Sequence, residues 1–94
     1  MPYYILSVKH TRAEDKYFTL WKPNDHGYCQ AKEAAGVYHQ LKKGYHGDES
    51  NIPIPLEAAE ELFLKVGSLH VIPNVRRVRK ELGLRIKEGS IVKI

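Results

Sequence analysis

The sequence predicts an α+β fold: a small antiparallel sheet with about three helices packed mainly on one face. Three observations lead there. Residues 3–22 alternate apolar and polar side chains as strands do, three later stretches space their apolar residues at three and four, and clusters of turn formers separate these segments.

Tyr3 to His10 sets Tyr4, Leu6 and Val8 on one side and Tyr3, Ile5, Ser7 and Lys9 on the other, which predicts a first strand with one buried face. Lys16 to Lys22 repeats the pattern. Its Tyr17, Thr19 and Trp21 oppose Phe18 and Leu20, so both faces are expected to be covered, and the polar connector Thr11 to Asp15 makes the pair a hairpin. Pro23-Asn24-Asp25-His26-Gly27 then predicts a tight reversal.

From Ala31 onward, Ala31, Ala34, Ala35, Tyr38, Leu41 and Tyr45 share one helical stripe. Gly36 interrupts it. An interior glycine costs about 1 kcal/mol relative to alanine, so either the helix breaks there or something packs against its bare backbone. Gly44 and Gly47 end this helix, and residues 47–51 form an exposed loop. Ile52-Pro53-Ile54-Pro55 lacks two ladder donors and therefore reads as an extended edge segment running into a helix. That helix turns Leu56, Ala59, Leu62 or Phe63, and Val66 inward and ends at Gly67. Leu69 to Ile72 is a third strand, Asn74 an N-cap for a helix from Val75 to Leu82, and Gly83 its C′ residue. Leu84 to Ile94, turning at Glu88-Gly89, forms a last strand or hairpin.

Ninety-four residues suffice for one compact domain, residues 1–94, and 43% hydrophobic with 28% charged residues excludes disorder and a collagen-like chain. The net charge of +4 argues against an acidic nucleic-acid mimic. The single Cys29 closes no intrachain disulfide, which fits a reducing, cytoplasmic setting in a host cell. No apolar run approaches twenty residues, and the start lacks a secretory pattern, so neither a membrane partner nor export is expected.

Several side chains invite chemistry. His10, Arg12 and Asp15 combine an imidazole that titrates near neutrality with a guanidinium suited to an anion, against the plain reading of a polar hairpin loop. Cys29 lies three residues from His26, yet free cysteines are more often core than nucleophile. The five histidines show no zinc-site spacing, and no glycine loop of phosphate-binding form is present, so no metal, cofactor or catalytic residue is assigned. Arg76-Arg77-Val78-Arg79-Lys80 is the sharpest electrostatic feature. With Val75, Val78 and Leu82 inward, three arginines and a lysine face out as a solvated face or a grip for an acidic protein, a nucleotide or nucleic acid. Arg85 and Lys87 extend it. Tyr17, Trp21 and Tyr28 serve as packing or as a stacking surface beside Arg12 and Lys22, and so many tyrosines suit a homo-oligomer.

The run Tyr3 to Arg12, Thr19-Leu20-Trp21-Lys22-Pro23, Gly27-Tyr28-Cys29, Ala35-Gly36-Val37-Tyr38 and Val71-Ile72-Pro73-Asn74 resembles a family of small bacteriophage and prophage proteins. The likeness spans roughly the first three-quarters of the chain and excludes the arginine-rich helix and everything after Gly83. It implies a non-enzymatic accessory protein that inhibits a bacterial antiviral defence system by stoichiometric binding of an effector protein or a nucleotide signal. The expected binding residues are His10, Arg12, Trp21, Lys22, Tyr28, Arg76, Arg77, Arg79 and Lys80. A small basic nucleic-acid-binding regulator is the alternative, and a phosphotransfer or hydrolytic enzyme around His10 is a third.

Overall fold

The computed structural model describes residues 2–40 and 50–94. Its principal sheet is antiparallel and has the order β3-β2-β1-β4, from β1 (Tyr3–Ser7), β2 (Thr19–Trp21), β3 (Tyr28–Cys29) and β4 (Asn51–Pro55). Helix α1 (Leu56–Glu60) follows directly. Then come a hairpin of β5 (Leu64–Val66) and β6 (Leu69–Val71), helix α2 (Arg76–Glu81), and a hairpin of β7 (Leu84–Lys87) and β8 (Ser90–Lys93). Among the described residues no helix is long and apolar enough to cross a membrane.

The α+β expectation is therefore corrected. Among the described residues strands in three small sheets predominate, and the two α-helices have only five and six residues. The helix expected from Ala31 is a short 3₁₀ turn, Lys32–Ala34, after which the chain is extended. Its positions from Leu41 to Tyr45, together with Gly44, Gly47 and residues 47–49 of the expected loop, lie outside the described residues. Asn51, placed in that loop from the sequence, opens β4 instead. The second helix stops at Glu60 rather than Val66, because residues 64–66 pair with residues 69–71 and Gly67, at φ +63°, serves the turn between them. The third expected helix forms, with Val75 rather than Asn74 at its N-cap.

Both faces of β1 are covered: Tyr4 and Leu6 on one side and Ile5 and Ser7 on the other are all buried, where the sequence implied one buried face. One core cluster joins Tyr4, Leu6, Val8, Phe18, Leu20 and Ile54, from the chain up to β4, to Ala59, Leu62, Ile72, Val78, Leu84 and Ile91 beyond it. Burying a leucine or phenylalanine of this kind stabilises by about 2 kcal/mol.

β4 lies at the sheet edge, as its prolines require. Val8 N–H donates to the Ser50 carbonyl and Leu56 N–H to that of Pro2, so alternation places the nitrogens of Pro53 and Pro55 on the outer side, away from β1. The β7–β8 turn has φ of +51° at Glu88 and +83° at Gly89, the sign pattern of a two-residue type I′ turn.

Gly36 resolves the ambiguity it raised in the sequence, since the helix is absent and a backbone does pack against it. Its N–H donates to the Trp21 carbonyl at 2.9 Å, and a Cβ there would stand 2.7 Å from Cα and N of Pro23. Those atoms belong to backbone that cannot rotate away. Gly36→Ala is expected to lower stability by about 2 kcal/mol in denaturant unfolding, more than helix propensity would give with the opposite sign; equal or greater stability would contradict this packing.

Asn74 braces the other side. Its Nδ2 donates to the carbonyls of Arg12 (3.3 Å), Ala13 (3.3 Å) and Asp15 (2.8 Å), its Oδ1 accepts from Arg79 Nη1 (2.9 Å), and its N–H donates to the Lys16 carbonyl (2.9 Å). One side-chain amide thus ties the 12–15 loop to α2. Asn74→Asp turns an oxygen toward three carbonyls, and is expected to cost more than Asn74→Ala, which itself costs about 2 kcal/mol; calorimetry of the two variants orders them.

Candidate functional site

The expected binding residues separate into three places. His10, Trp21 and Tyr28 come together on the sheet face that also carries Ser7 and Asn51. The His10 and Tyr28 ring centroids are 3.9 Å apart at 35°, and Tyr28 meets Trp21 edge-on at 5.5 Å. Strand pairing sets this up: Trp21 opposes Tyr28 across β2–β3, while Ser7 accepts the His10 N–H at 3.2 Å and turns the chain so that the imidazole returns over the sheet. Trp21 is fixed from the far side, where its Nε1–H donates to Asn51 Oδ1 at 2.9 Å. The resulting cleft, with Lys9 and Ser50 at its margin, encloses about 180 Å³, below the range of about 300–1,000 Å³ typical of small-molecule pockets.

Arg12 does not join this cluster. Its backbone N–H donates to Asp15 Oδ2 at 2.8 Å, and its Nε lies 3.3 Å from Asp15 Oδ1 and 3.7 Å from Glu14. It serves the turn that Thr11 anchors by donating to the Ser7 carbonyl and accepting from Thr19 N–H. Lys22 is likewise absent from the cleft. Its carbonyl accepts the Tyr38 hydroxyl, and its ammonium opposes the effect of burial, which raises the Cys29 thiol above its ordinary pKa. Cys29 is half-buried and packs against the core, a setting that disfavours the reactive thiolate.

The basic helix makes the third place. Its four cations are not equivalent. Arg79 donates to the Asn74 carbonyl at 3.1 Å as well as to its amide, and Arg77 lies 3.7 Å from Glu81 one turn on. Arg76 and Lys80 have no acidic group within 4 Å among the described residues, and neither has Arg85 of β7. These groups border a groove of about 730 Å³ between α2 and β7, whose exposed apolar surface comes from Ile86 and Ile94, while Leu84 is buried. Ile86 is 44% and Ile94 80% exposed. Among the described residues no acidic, histidine or cysteine side chain lines it. The groove shares no residue with the aromatic cleft, so the arginine-rich helix and the rings occupy separate sites.

Leu84, Ile86 and Ile94 were not read from the sequence as site residues. The irregular apolar alternation after Leu84 was their only local signal.

One titratable pair also escaped the sequence. Glu33 Oε1 accepts the His70 backbone N–H at 2.9 Å, and its Oε2 lies 2.7 Å from His70 Nδ1, joining the 3₁₀ turn to β6. Among the described residues no three His, Cys, Asp or Glu side chains gather as a metal site. Comparison with family models, with curated proteins and with solved structures finds no match.

The His70 backbone N–H first, and its ring second, hold the Glu33 carboxyl down to about 2. A depressed acid stabilises the fold above its ordinary value near 4.5, and that contribution is lost as pH falls through about 2. A carbon-detected NMR titration is expected to place the Glu33 midpoint near 2 in the native protein and to raise it only part of the way toward the ordinary value in His70→Ala, which removes the ring and keeps the backbone donor. An ordinary Glu33 titration in the native protein would show that the contact does not form.

Proposed function

We propose that the chain is a non-enzymatic accessory protein of the phage and prophage type, which inhibits a bacterial defence system by stoichiometric binding of an effector protein through the α2–β7 groove. The observation that carries this reading is the convergence of Arg76, Lys80 and Arg85 around an apolar floor in a space of ligand size. Cations with no acidic partner among the described residues lose little by meeting an acidic surface, and an apolar floor contributes binding through burial.

A protein partner is favoured over a nucleotide signal by two features. The aromatic cleft is small and its rings already stack on one another, and the basic groove has no aromatic ring on which a base would rest. Alkyl groups and cations together suit an acidic polypeptide that carries bulky apolar side chains.

Expression of the protein in cells carrying a susceptible defence system is expected to restore phage plating in proportion to the amount of protein made. Arg76→Glu combined with Arg85→Glu should weaken protection by at least about tenfold, while His10→Ala should leave it within about twofold. Protection by trace amounts of protein, or protection indifferent to the double charge reversal, would refute the assignment. Tight retention of DNA with a steep salt dependence would instead make the groove a phosphate-binding surface.

A further inference from the structure

The groove runs along the outer edge of β7, and the hairpin register shows what that edge offers. Ile94 N–H donates to the Gly83 carbonyl at 2.8 Å, so Gly83 and Ile94 form a hydrogen-bonded pair. Alternation along the ladder makes Arg85–Val92 and Lys87–Ser90 the next such pairs. Leu84 and Ile86 fall between them, and their backbone N–H and C=O groups point away from β8. No backbone hydrogen bond from another described segment reaches either residue. Arg85 and Ile86 are consecutive and their side chains leave opposite faces of the strand, yet both line the groove, as they must if it follows the strand edge rather than one face.

We infer that this edge accepts an extended segment of the partner as an added strand, with acidic side chains beside Arg85 and the α2 cations Arg76 and Lys80, and aliphatic ones against Ile86 and Ile94. The inference rests on the proposed groove and specifies how it is used. Main-chain hydrogen bonds to Ile86 supply affinity, and the alternation of charge and alkyl surface selects the sequence of the segment. The edge of β4 is a poorer acceptor, because Pro53 and Pro55 remove two of its outward donors. The five cationic side chains that line the groove, with no acidic side chain beside them among the described residues, set the sign of the segment.

The test uses a short synthetic peptide of alternating glutamate and valine, the same peptide N-methylated at every second nitrogen in each of the two registers, and a single-stranded oligonucleotide of matching charge. The alternating peptide is expected to bind and to slow hydrogen exchange at the Ile86 amide. N-methylation in one register should weaken it by at least about tenfold, whereas the other register should bind as the parent does. Ile86→Pro removes only an outward donor and should lose the peptide while keeping the β7–β8 cross-strand NMR contacts; Ile86→Val should retain it. Unaltered binding of both methylated peptides, no binding of the parent at millimolar concentration, or preferential binding of the oligonucleotide would each overturn strand addition. Loss of phage protection in the Arg76→Glu, Arg85→Glu protein alongside any of these outcomes would leave the groove as the functional site and remove only this mode of using it.

Discussion

The fold depends on covering a single short strand from both sides. Tyr4 and Leu6 of β1 need one apolar layer, and Ile5 needs another on the opposite face, with Trp21 buried beside it. A small chain that must supply two layers has little length to spare for long helices. It uses turns and two-residue reversals, and distributes Phe18, Ile72, Val78, Leu84 and Ile91 over separate segments that meet in one cluster. Interior packing of this density tolerates little change in shape, which is why the close approach at Gly36 and the amide of Asn74 matter beyond their own neighbourhoods.

Much of the punctuation was legible in the sequence. Pro53 and Pro55 marked an edge, Pro23 to Gly27 a reversal, Gly83 a helix end with φ +71°, and Glu88-Gly89 a hairpin turn. Helical periodicity misled at two places for a shared physical reason: apolar spacings of three and four also arise where short strands and turns follow one another. Leu62 and Val66 sit four apart and would share a helix face, but Leu62 is buried and Val66 lies in β5 with 41% of its surface exposed. Ala31, Ala34 and Ala35 favour a helix intrinsically, but the backbone of Lys22 and Pro23 against Gly36 calls for an extended chain there. Propensity yields to packing when the two conflict.

The candidate site was legible in composition and illegible in arrangement. Residue types told which helix would be basic. They carried no sign that Arg79 would be spent on Asn74, that Arg77 would turn to Glu81, or that β7 would bring Arg85 and Ile86 alongside α2. The same holds for Glu33 and His70, whose contact spans thirty-seven positions. The sequence set His10 beside Arg12 and Asp15, and Trp21 and Tyr28 beside Arg12 and Lys22; the fold instead brings the three rings together, where they engage mainly one another as a wall of the sheet.

The prolines of β4 have a consequence for the life of the molecule in a crowded cell. A protein whose two principal sheet borders both accepted strands could be bridged end to end by its own copies and grow into fibres. Missing donors at Pro53 and Pro55 make the β4 border of the principal sheet a poor template for any newcomer, a second copy of the chain included.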